Sequence, residues 1–188
     1  PTNLFFMGKG GVGKSTSSAL HSVFLARKGF RVLLVSLDPA HNQGDIFERR
    51  FGDQPARIAD KLFVAEVDQD RWIQTYLKDV HRQIKKTYAY LTAFNLDKHF
   101  KVIQHSPGLE EYALMLAYGH ICRSFADFDF LVFDMPPMAL SLKFFSLPSL
   151  SLVWLEHLLA LRREIIRKRD IITRIKLVKK EHERDKLL

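Results

Sequence analysis

Short apolar runs alternate with stretches of helical periodicity along this 188-residue chain. Leu4-Phe5-Phe6-Met7 reads as a buried strand. Ala19, Leu20, Val23, Phe24 and Ala26 then recur on one side of a helix that ends near Lys28-Gly29, where glycine suits a helix C-terminus. Arg31-Val32-Leu33-Leu34-Val35-Ser36 is a second, β-branched strand, so the strand–helix–strand order implies a right-handed parallel crossover. Residues 48–60 are polar, with Gly52 and Pro55, and read as loop or short helix. Leu62 to Val67 is a third strand. Asp68 can cap a helix from Gln69 to about Tyr90, whose Trp72, Ile73, Tyr76, Leu77, Val80, Ile84 and Tyr88 share a face. After a break over Asn95 to Gln104, Ser106-Pro107-Gly108-Leu109-Glu110-Glu111 opens another helix, with a capping serine, a first-turn proline and an acidic pair suited to the dipole. Phe128 to Asp134 is a fourth strand. From Trp154 the pattern is helical again, Leu158, Leu161, Ile165, Ile172 and Ile175 recurring among basic residues. The pattern predicts an α/β fold: a mostly parallel, doubly wound sheet flanked by helices, with its ligand at the carboxyl ends of the strands.

The candidate chemistry sits where that fold would place it. Gly8-Lys9-Gly10-Gly11-Val12-Gly13-Lys14-Ser15-Thr16 fits the phosphate-loop pattern G-x-x-x-x-G-K-[ST] at every fixed position, between a strand and a helix. Glycines let successive backbone N–H groups turn inward, and the following helix adds the positive end of its dipole. Gly10, Gly11, Val12, Gly13, Lys14, Ser15 and Thr16 are therefore the candidate residues for binding a nucleotide's phosphates. Lys14 supplies charge to the β- and γ-phosphates and the Ser15 hydroxyl is a ligand for Mg²⁺. Asp38 follows the second strand and precedes a proline, which places a carboxylate to orient a water for attack on the γ-phosphate. Asp134 ends the fourth strand and would hold a water on Mg²⁺.

Charge and composition narrow the partners. The net charge of +8 is uneven, since eleven Lys/Arg against five Asp/Glu fall from Arg162 onward. The balanced body gives no uniformly basic surface, so no nucleic-acid partner is expected. The single cysteine, Cys122, leaves no internal disulfide or multi-cysteine metal site and fits a reducing cytoplasm. The phosphate loop comes too early for a signal peptide to precede it, so none is expected. The apolar zone from Phe128 to Leu161 is broken by Asp134, Pro136, Pro137, Lys143, Pro148 and Glu156 and is not read as a membrane span.

Several motifs carry a family resemblance. Lys9 inside the loop resembles the deviant Walker A motif of the ParA, MinD and ArsA group of P-loop ATPases, which implies a nucleotide-sandwich homodimer with Lys9 acting catalytically in trans. Asp38-Pro39-Ala40-His41-Asn42, with Gly44-Asp45-Ile46-Phe47, resembles switch I of the ArsA family. That family includes arsenite-pump ATPases and the Get/TRC ATPase that delivers tail-anchored membrane proteins; the resemblance implies that Asp38 activates the water. Pro107 to Glu111 resembles the segment before the second switch, and in the targeting ATPases helices of this region build an apolar client groove. Residues 69–125 are the corresponding candidate helical subdomain of a single ATPase domain spanning 1–188, with 154–188 a basic amphipathic tail; the alternative is that the helices of 69–125 simply cover the sheet.

Departures from the family qualify this. Its second switch reads Asp-Thr-Ala-Pro and then Thr-Gly-His-Thr; here it is Asp134-Met135-Pro136-Pro137-Met138-Ala139-Leu140-Ser141, with fewer hydrogen-bonding groups, which points to slow hydrolysis. Leu142 to Pro148 again resembles the family, but its later strands and adenine loop have no counterpart, so the resemblance covers residues 3–150. The cysteines that bind zinc or arsenite in family members are absent, so neither site is expected. The expected function is a cytoplasmic ATPase whose turnover handles or targets a membrane-protein or transport client. The alternative is a MinD- or ParA-like positioning switch on a membrane surface, through the basic tail, or on the nucleoid. An electron donor like the nitrogenase iron protein needs two cysteines per subunit and is disfavoured.

Overall fold

The second strand is central. In the computed structural model, which describes residues 1–87 and 108–185, all five residues of Val32–Ser36 are buried, as a strand covered on both faces requires. Among the described residues five strands make one sheet: β1 (Thr2–Phe6), β2 (Val32–Ser36), β3 (Ala56–Ala59), β4 (Leu62–Glu66) and β5 (Phe130–Asp134), in the order β1-β5-β2-β4-β3. The β1–β5, β5–β2 and β2–β4 pairs are parallel and β3–β4 is antiparallel. The mostly parallel sheet is thus as expected, with one strand more. β3 escaped the sequence reading because Ala56-Arg57-Ile58-Ala59 offers a single large apolar residue and follows Pro55. As an edge strand it alternates half-buried and exposed and needs no continuous apolar run.

Helices cover both faces. The helix after the phosphate loop, α1 (Lys14–Arg27), sends Ala19 and Leu25 into a cluster with Val32, Leu34, Leu62, Val64 and Val132. The alternate strand residues Leu33, Val35, Ala65, Leu131 and Phe133 face the other way and pack with Leu114, Ala117 and Ile121 of the helix Leu109–Ser124. The buried side of α1 differs from the one the apolar spacing suggested: Leu20 and Phe24 are exposed, while Ser18 and Ser22 are fully buried. The serines tolerate burial because each hydroxyl donates to a helix carbonyl, Ser18 to Ser15 O at 2.9 Å and Ser22 to Ser18 O at 2.7 Å. Small side chains let α1 lie close to the strands.

The remaining described helices are α2 (Asn42–Ile46), α3 (Gln69–Thr87), α4 (Leu109–Ser124) and α5 (Met138–Asp185). Ile73 and Leu77 of α3 form a smaller cluster with Ala113 of α4. Only the two ends of the candidate subdomain over 69–125 are therefore in view; the break over Asn95 to Gln104, the Ser106 cap and the first-turn Pro107 lie outside the described residues. α4 begins at Leu109, with Gly108 at the cap position in the left-handed region, φ 90°. α5 starts at Met138, well before Trp154, and continues through Pro148. By contacts the chain divides into residues 1–145, which hold the sheet, and the part from Ser146 on. In that second part Leu150, Trp154, Leu158 and Leu161 are exposed. By length and composition alone Met138–Lys168 contains an 18-residue stretch, of mean hydropathy 1.5, that is apolar enough to cross a membrane. Lys143, Pro148 and Glu156 do not interrupt the helix.

Candidate functional site

The strands end in register, so the segments following them converge. Phe6 of β1 and Ser36 of β2 both lie opposite Asp134, and Ser36 also lies opposite Glu66. The ladder runs past the strand ends: Met135 N–H donates to Phe6 O at 3.1 Å and Leu37 N–H to Asp134 O at 2.9 Å. One carboxyl edge thereby holds the phosphate loop, Asp38 and Asp134, the three features the sequence assigned to nucleotide chemistry.

Within the loop, Gly11 and Gly13 take φ values of 74° and 85°. Side chains rarely adopt that left-handed region, and it is what turns the loop's N–H groups before α1 begins. Gly10, Gly11, Val12, Gly13 and Thr16 are exposed, and Lys14 and Ser15 are partly buried. Lys14 Nζ reaches back across the loop to Lys9 O at 3.5 Å. Lys9 itself is exposed.

Asp38 is 5% exposed, and its Oδ1 accepts the Ala40 N–H at 3.0 Å, which fixes the carboxylate beyond β2. His41, at φ 50°, then leads into α2. Glu66, at the end of β4, holds this turn: its Oε1 accepts the Gly44 N–H at 2.9 Å and its Oε2 lies 3.7 Å from His41 Nδ1. Burial pushes the Glu66 carboxyl above its ordinary range, against the pull of the Gly44 N–H, His41 and the Gln43 N–H, while the Asp45 charge adds to the rise.

Asp134 is fully buried. Burial raises its pKa; the nearby Ser15 hydroxyl and the Gln43 amide lower it, the Asp38 charge raises it, and Lys14 lowers it. Gln43 Nε2 donates to Asp134 Oδ2 at 2.9 Å, to Ser18 Oγ at 3.2 Å and to Ser15 O at 3.2 Å. Asp134 Oδ1 and Gln43 Oε1 are buried without a hydrogen-bond partner. A desolvated carboxylate with an unpaired oxygen, beside a serine and a lysine at a phosphate loop, fits a divalent cation. Among the described residues no three of His, Cys, Asp and Glu converge on one point. Mg²⁺ suits such a site, because it commonly takes one carboxylate or hydroxyl and completes its shell with phosphate oxygens and water.

Sequence reasoning singled out neither Gln43 nor Glu66. Glu66 had a readable signal, since a hydrophobic strand ending in a carboxylate is what marked Asp134. Gln43 had none beyond its position in the stretch after Asp38.

A family model described as anion-transporting ATPase matches residues 2–187. The match extends past residue 150, where the motif-by-motif resemblance stopped. The "Putative arsenical pump-driving ATPase" of Halobacterium salinarum is 34% identical over 152 residues, 78% of this chain and 23% of that protein. The Aquifex aeolicus protein of the same name, numbered 1, is 31% identical over 172 residues, 87% of this chain and 42% of its own length. An ATPase ASNA1 homolog of Plasmodium vivax is 33% identical over 173 residues, covering 86% of this chain and 41% of that protein. The chain spans less than half the length of each of these relatives.

Proposed function

The chain belongs to the anion-transporting ATPase family, and on that premise we propose that it binds ATP with Mg²⁺ and hydrolyses it as a nucleotide-gated homodimer, coupling turnover to the handling or targeting of a membrane-protein or transport client. The observation that carries the reading is the convergence of the phosphate loop, buried Asp38 and buried Asp134 at one carboxyl edge. Loop N–H groups from Gly10 to Thr16 cradle the phosphates, and Lys14 adds charge. Ser15 would ligate Mg²⁺ and Asp134 would hold a water on it; when bound, the ion would neutralise charge on the phosphate oxygens. Asp38, held by the Ala40 N–H, orients the attacking water. The chain therefore works by positioning and electrostatics, as phosphoryl transfer requires.

Lys9 is exposed and free to reach a partner's nucleotide. A non-hydrolysable ATP analogue with Mg²⁺ should convert the chain to a dimer in sedimentation velocity, and Lys9→Ala should weaken that dimer by about 30-fold, the loss of one interfacial charge contact of ~2 kcal/mol. Association that ignores both nucleotide and Lys9 would remove the gated dimer.

One observation favours a second reading, a positioning switch on a membrane surface. The exposed apolar residues Leu150 to Leu161 on α5 are followed by Arg162, Arg163, Arg167 and Lys168, a sequence suited to anionic lipid. ATP-dependent flotation with anionic vesicles, lost when the chain is cut before Arg162, would move the function to that class.

A further inference from the structure

We propose that Gln43 is a positioning residue that ties the Asp38 segment to the metal-side carboxylate, so that Asp134, the first turn of α1 and α2 respond to Mg²⁺ as one unit. The proposal rests on the ATPase reading and deepens it. α2 has only five residues, too few to hold its own shape, and Gln43 is its one buried residue. A fully buried amide is costly unless satisfied. Here the two Nε2 protons meet three acceptors, Asp134 Oδ2, Ser15 O and Ser18 Oγ, while Oε1 is left without a partner. Ser18 can accept because its own proton goes to Ser15 O. The same amide thus touches Asp134 and the backbone of Ser15, the two residues assigned to the cation. Its donation to Oδ2 leaves Oδ1 as the unpaired oxygen, which fixes the side of the carboxylate available to a cation or its water. Five residues before Gln43 in the chain stands Asp38. The second switch here is poor in polar side chains, so this link comes from the other switch.

The test is calorimetric affinity for ATP with and without Mg²⁺ in the unaltered chain and in Gln43→Met, which keeps volume and removes the donor. The expected result is Mg²⁺-free affinity within about twofold of the unaltered chain and an Mg²⁺ enhancement reduced by about tenfold, with no further reduction when Gln43→Met is added to Asp134→Asn. A side chain that only filled space would leave the enhancement intact. An enhancement retained in Gln43→Met overturns the proposal, and so does an equal loss with and without Mg²⁺. Absence of any enhancement in the unaltered chain overturns the ATPase reading as well, which separates the two failures. Should Gln43→Met not fold, the Gln43 side-chain amide resonances of the unaltered, ATP-loaded chain give the answer: they shift on adding Mg²⁺ if the tie exists, and unmoved resonances overturn it.

Discussion

Asp38→Asn should retain ATP with an affinity within about threefold of the unaltered chain while releasing γ-phosphate about 100-fold more slowly, the lower end of what a positioned base contributes. The substitution is close to isosteric. The carbonyl oxygen of the substituted amide can still accept the Ala40 N–H that now holds Asp38 Oδ1 at 3.0 Å, so the turn after β2 is kept. What is lost is a negative charge in a position 5% exposed to solvent, where little bulk water competes with it. A carboxylate so placed aligns a water and draws off its proton; a neutral amide does neither well. Single-turnover phosphate release from preloaded protein is the measurement. Release at the normal rate would show that the water is positioned by another group and would remove Asp38 from the mechanism.

Lys14→Ala acts on the other term, binding itself. The lysine lies at the start of α1, its ammonium folded back over the loop toward Lys9 O at 3.5 Å. Phosphates entering the loop would replace that single carbonyl contact with charge-assisted hydrogen bonds, which are about twice as strong as neutral ones. Removing the ammonium should cost about 2–4 kcal/mol, or roughly 30- to 1000-fold in the Kd for ATP. The fold should be indifferent, because Lys14 is partly exposed and belongs to none of the hydrophobic clusters. Calorimetric titration checks the first expectation and a denaturant midpoint the second. An unchanged Kd would mean that ATP, if bound, sits elsewhere than on this loop.

How far the sequence could be read follows from where information was local. β2 and β5 were legible because a central parallel strand must be apolar throughout, and the phosphate loop because its glycine spacing is dictated by backbone geometry within nine residues. β3 was missed because an edge strand carries few apolar residues. The buried side of α1 was misjudged because Ser18 and Ser22 are satisfied by helix carbonyls, a bond that hydropathy does not register. The early start and continuity of α5 were hidden by Pro136, Pro137 and Pro148. Within the site, Asp38 and Asp134 were visible as carboxylates at or just beyond strand ends. Gln43 was not, because its hydrogen bond goes to Asp134, 91 residues away in the chain. Pairing across that distance is set by strand order, and no local pattern encodes it.

Nucleotide is expected at the carboxyl edge formed by the phosphate loop, the segment after β2 and the end of β5. Amide ¹H–¹⁵N spectra of the chain, recorded before and after adding ATP with Mg²⁺, test it most directly. The large shifts should fall at Gly8 to Thr16, Asp38 to Gly44 and Asp134 to Met135, with α3 and β3 unmoved. Shifts centred instead on the small cavity lined by Trp72, Thr75 and His120, or no shifts at all, would contradict it.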